Sequence, residues 1–193
     1  MWFRLSVLSL ILGVGSPGVA AAQNEHFPNT KEWGRAAIQY RDGQLHLVAA
    51  YYYSQIEHDS RWMMIETAFT TEELSTIPRS AFHLLTPDDR RVELATQRDF
   101  NADHPRVRQL VQNANLSRHD VISYFNRRGR VEPFRFFTVP SGRTVQEDVQ
   151  ADQFRGASGD LFFQAPLGSW PAGIYTLVLE HEQMRAAVPI ELR

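Results

Sequence analysis

AAIQYRDGQLHLVAAYYYSQIEHDSRWMMIETAFT, residues 36–70, sets the fold class. Ala36–Tyr40 and Gln44–Tyr53 alternate in period two around Arg41-Asp42-Gly43, and Asp-Gly between two such runs is a strong hairpin signal. A polar tip follows at 55–60, and Arg61–Thr70 returns as a further strand. In the 44–70 hairpin, Leu45, Leu47, Ala49, Met63, Ile65 and Phe69 share one face. Val48, Ala50, Tyr52, Trp62 and Met64 share the other. A sandwich sheet open to water is polar on its outer side, whereas this one is apolar on both, so something covers it. Tyr52, Trp62 and Met64 are therefore the candidate ligand-binding residues, unless another part of the chain lies over them.

Downstream, strands are expected at 80–86 and 91–97, joined by Thr86-Pro87-Asp88-Asp89, where the fixed φ of Pro suits the second turn position. At Asp103 the period changes. Val107, Leu110, Val111 and Ala114 form an amphipathic helical stripe, with Asp103 as N-cap and Pro105 in the first turn. A second short helix is expected from Ser117, with Asp120 in a variant capping box and Val121, Ile122 and Phe125 beneath. A helical insertion at about 103–128 thus interrupts the β pattern. Strands resume at 131–139, around 146–154, and at 159–165, and the chain closes on 174–181 and 184–192. Pro189 donates no ladder bond and marks the last strand as an edge. Many short strands with Gly and Pro turns predict a β-sandwich.

The C-terminal SWPAGIYTLVLEHEQMRAAVPIELR (169–193) resembles the last hairpin of bacterial immunoglobulin-like domains. There a Gly-x-Tyr opens the penultimate strand, here Gly173-Ile174-Tyr175, with Leu177 and Leu179 on the tyrosine's face. The resemblance implies a fold and no activity. The expected fold is mainly β: an antiparallel immunoglobulin-like β-sandwich with a short helical insertion, spanning 34–193 as one domain.

Working toward the N-terminus, residues 23–33 are polar and read as a flexible leader. Residues 1–22, MWFRLSVLSLILGVGSPGVAAA, read as a signal peptide: Arg4 is the positive n-region, Leu5–Val14 the apolar h-region, and Ala20-Ala21-Ala22 the cleavage site. The run is far short of the roughly 20 residues that span a bilayer, so no membrane anchor is expected after cleavage. The expected location is periplasmic or secreted. The 193 residues include no cysteine, which excludes disulfides, thiolate metal sites, cysteine nucleophiles and a lipid-bearing cysteine. Without Arg4, 19 basic side chains face 22 acidic ones, too few to release counterions from nucleic acid.

No catalytic motif stands out. Glu57-His58-Asp59 and Glu180-His181-Glu182 carry metal-binding side chains, but neighbours on an extended strand point to opposite sides, so no metal site is expected. His46 and His83 lie within strands and read as bonded strand histidines. Gly156-Ala157-Ser158-Gly159 lacks the spacing of a nucleophile elbow and reads as a flexible turn. Arg127-Arg128-Gly129-Arg130 reads as a solvated turn able to hold an anion. Asn115-Leu116-Ser117 matches a glycosylation sequon. The expected function is non-catalytic: a binding or envelope-associated structural role, with a protein or glycan partner and no cofactor. A carbohydrate-binding module using exposed aromatics is the alternative, and an envelope hydrolase a third.

Overall fold

The computed structural model describes residues 27–56, 59–116, 121–124, 130–140, 142 and 145–193. The signal peptide 1–22, Glu57 and His58, Ser117 and Asp120, Phe125, and Arg127-Arg128-Gly129 lie outside the described residues.

β2 (Ala37–Arg41) and β3 (Leu45–Ala50) form the expected hairpin. Asp42 shapes its turn: Oδ1 accepts the backbone N–H groups of Gln44 and Leu45, both at 2.7 Å, and Oδ2 accepts the Tyr40 hydroxyl. β3 ends before Tyr53. Tyr52–Ile56 winds into a short helix, α1, because the Ser54 hydroxyl donates to the Met64 carbonyl at 2.7 Å and the Gln55 N–H to the Tyr51 carbonyl. β4 (Trp62–Thr71) then returns beside β3 with all 10 residues buried, as a strand covered on both faces must be. Thr30–Trp33, read as part of a loose leader, is instead an edge strand, β1, on β2. The Trp33 indole anchors it by donating to Gln39 Oε1 at 2.8 Å.

The first sheet has the order β1-β2-β3-β4-β10-β8, with β8 at Arg130–Pro133 and β10 at Arg155–Gln164. β8 runs parallel to β10, so the sheet is mixed and not antiparallel throughout. Between them the chain leaves the sheet. Phe134 and Phe136 turn into the core, and β9 (Asp148–Ala151) pairs with β5 (Ser75–Pro78), so β10 re-enters in the direction of β8. Gly156–Gly159 is no turn but lies inside β10. A Cβ at Gly159 would come within 2.7 Å of the Phe134 ring, which crosses the strand while its N–H donates to the Ser158 carbonyl. Bare backbone is what lets that ring in.

The second sheet is β12 (Met184–Leu192), β11 (Gly173–His181), β6 (Phe82–Leu85) and β7 (Arg91–Glu93), all antiparallel. β12, with Pro189, is an outer strand as expected. β7 is shorter than the expected 91–97, because the Ala95 N–H is drawn to the Phe162 carbonyl of β10 and Thr96 starts a helix. The sheets pack face to face over a core in which Phe69, Phe82, Phe134 and Phe136 meet with centroids 4.7–6.4 Å apart. Tyr175 is buried beside Trp170, and its hydroxyl donates back to the Pro171 carbonyl at 2.8 Å.

Helices cover the outer face of the first sheet. The insertion starts earlier than Asp103: α2 (Gln97–Ala102) is capped by Thr96, and α3 (His104–Ala114) buries Val107, Leu110 and Ala114. Val121, in a 3-10 turn at Val121–Tyr124, closes over Ala37, Val48, Ala50 and Ala68. Both apolar stripes are thereby satisfied. Among the described residues no helix is long and apolar enough to cross a membrane.

Candidate functional site

Trp62 and Met64 lie beneath the helical layer and are closed off from solvent, whereas Tyr52 is only partly buried. The Trp62 indole N–H donates to Asp103 Oδ2 at 2.7 Å, and its ring meets Phe100 edge-on at 6.4 Å. Asp103 occupies the N-cap position of α3, yet its side chain makes no cap bond; it serves Trp62 and lies 3.6 Å from the Arg61 guanidinium. Asp59 ties the same corner, taking Arg106 Nε at 2.6 Å and the backbone N–H groups of Arg61 and Trp62.

Of the first acidic–histidine triplet, only Asp59 is described. The Trp170 backbone N–H donates to the carbonyl of Ser60, next to Asp59, while His181 lies at the far end of β11, whose nine residues span roughly 26 Å. His181 stays with Glu182, 3.7 Å away. His46 Nε2 sits 2.5 Å from Gln39 Nε2, which links it to Trp33. Among the described residues, no group of three or more His, Asp or Glu is placed to hold a metal.

The arrangement with most chemical content lies at the free edge of the second sheet. A cleft of about 800 Å³ separates β7 from the β5–β9 ribbon, lined by Arg79, Ser80, Arg91, Glu93, Glu147 and Asp148 among others. Arg79 follows β5, and its backbone N–H is fixed by the Glu147 carbonyl at 2.9 Å. Its guanidinium lies 4.9 Å over the Phe137 ring, and Nη2 donates to the Ala95 carbonyl at 2.8 Å. Gln97 holds that ring's neighbour from both sides, donating to the Thr138 carbonyl and accepting its N–H. Among the described residues, no carboxylate pairs with Arg79, and Nε and Nη1 have no hydrogen-bond partner. Burial lowers the Arg79 pKa, with Glu147 acting the other way, but a guanidinium stays charged. A stacked, half-buried cation is thus held facing the cleft.

β7 itself offers backbone. The Thr86 N–H donates to the Arg90 carbonyl, so the alternation of an antiparallel ladder makes Leu84–Val92 the next bonded pair. Arg91 and Glu93 then direct their N–H and C=O groups away from β6, toward the cleft. Their side chains form an ion pair at 2.5 Å on the sheet's outer face, over buried His83. Among the described residues, His83 Nδ1 has no hydrogen-bond partner. Burial, then the Arg91 charge, lowers the His83 pKa; Glu93 and Glu180 oppose this and Arg185 adds to it.

Sequence reasoning placed His83 in a strand but gave Arg79 no role. Phe137 and Ala95, which position its guanidinium, are remote in sequence, and Pro78-Arg79-Ser80 carries no local signal. Comparison with known family models, curated proteins and solved structures finds no match.

Proposed function

We propose that the protein is an exported, non-catalytic binding module that takes an extended segment of a protein partner along the free edge of β7. The outward-facing backbone of Arg91 and Glu93 carries this reading: unpaired strand edges are templates for strand addition, and here the edge borders a cleft of about 800 Å³. Main-chain bonds would supply affinity, and the cleft's charged walls would select side chains. Export rests on residues 1–22 and places the partner in the cell envelope or outside it. The finer fold reading, an immunoglobulin-like sandwich, is supported by Gly173-Ile174-Tyr175 and the Tyr175–Pro171 bond. The glycan alternative has a single large exposed aromatic among the described residues, Phe154 in the turn between β9 and β10.

Selection from a displayed library of random linear peptides tests this function. Enriched peptides should shift the amide resonances of Arg91 and Glu93 in the folded protein. No enrichment over a blank surface, or a footprint elsewhere, would overturn it.

A further inference from the structure

We infer that Arg79 is a carboxylate-binding subsite, so that the segment bound along β7 carries an Asp, a Glu or its own C-terminal carboxylate into the cleft. The inference rests on the proposed use of this cleft and adds the chemistry of what enters it. An arginine stacked on an aromatic ring, with one nitrogen tied to a carbonyl, has lost much of its rotamer freedom in advance. What remains, Nε–H, the Nη1 hydrogens and the second Nη2 hydrogen, has no acceptor among the described residues, and that Nη2 hydrogen runs parallel to Nε–H or to an Nη1–H, which makes a fork. A carboxylate fits that fork with two parallel charge-assisted bonds.

The surroundings choose among anions. Glu147 and Asp148 line the same cleft, and Glu93 is neutralised by Arg91, so a phosphate dianion meets two negative neighbours and one unpaired cation. Arg91 is already engaged by Glu93 and adds no free charge. A singly charged carboxylate on an otherwise neutral or basic chain meets the least repulsion, and Glu147 and Asp148 stand ready for basic residues flanking it.

Sodium propionate, propionamide and inorganic phosphate, titrated separately into the ¹⁵N-labelled full protein, provide the test. Propionate should move the Arg79 Nε–H resonance and the Leu94 and Ala95 amides, saturating in the millimolar range of about −4 kcal/mol, while propionamide leaves them still. Arg79→Gln should abolish the amide shifts; if that variant does not fold, the wild-type Nε–H response alone decides. No response to propionate, or a stronger response to phosphate, overturns the inference. So would enriched peptides that bind at β7 but carry no carboxylate. A propionate response without any enriched peptide would sink strand addition and leave the subsite standing.

Discussion

The Trp62 indole and the Asp103 carboxylate, 41 residues apart, are joined at 2.7 Å, and this bond pins the helical layer to the first sheet. Asp103→Ala leaves a buried indole N–H unpaired, which costs about 1–3 kcal/mol, and Asp103→Asn, keeping an acceptor, should cost less. Trp62→Ala removes the ring under Phe100 as well and should cost about 3–5 kcal/mol. Leu110→Asp, burying a lone carboxylate, should be similarly damaging. Urea unfolding midpoints check all four. A wild-type midpoint for Trp62→Ala would contradict the packed arrangement.

Gly159 tolerates no side chain. A Cβ would sit 2.7 Å from both the Phe134 ring and the Phe134 carbonyl oxygen, and the backbone there cannot yield as a flexible side chain would. Gly159→Ala should destabilise by about 1–3 kcal/mol, whereas Gly43→Ala, with open space around it, should stay within about 1 kcal/mol. Thermal unfolding of the pair separates the two.

His83 gives stability a pH dependence of known sign. Its folded pKa is lowered from the ordinary 6.5, chiefly by burial, so below that value the unfolded chain binds a proton that the folded one refuses. The contribution is whole above 6.5 and is lost as pH falls toward the folded value, by at most about 1.4 kcal/mol per pH unit. Denaturation curves at stepped pH should show a shallower acid-side loss for His83→Leu than for wild type. Equal slopes would contradict the assignment.

Export has a direct chemical readout. Cleavage after Ala22 should leave a mature chain beginning at Gln23, read by intact mass and the N-terminal peptide of exported protein. A mature chain still starting at Met1 would contradict it.

The hairpin 36–70 was legible because its signals are local: Asp42-Gly43 makes a turn with its own neighbours, and two apolar faces demand two covers. Pro189 on an outer strand was legible for the same reason, since a missing donor excludes it from a sheet interior. What escaped reading depends on remote partners. Gly156–Gly159 looks like a turn until Phe134 is known to cross it. Tyr52–Ile56 alternates like a strand, and the Met64 carbonyl that draws Ser54 into a helix is invisible locally. The sequence pointed to hairpin 44–70 and gave Arg79 no role, because the residues that orient its guanidinium, Phe137 and Ala95, are remote in the chain.

Amide hydrogen exchange at Arg91 and Glu93, with and without a peptide enriched in the selection, tests the binding account most directly. In the free protein both N–H groups face the cleft and should exchange quickly, while Val92, bonded to Leu84, exchanges slowly. Bound peptide should slow Arg91 and Glu93 to the rate of a paired strand. Unchanged exchange at both, with protection appearing instead at another edge such as β1, would contradict strand addition at β7.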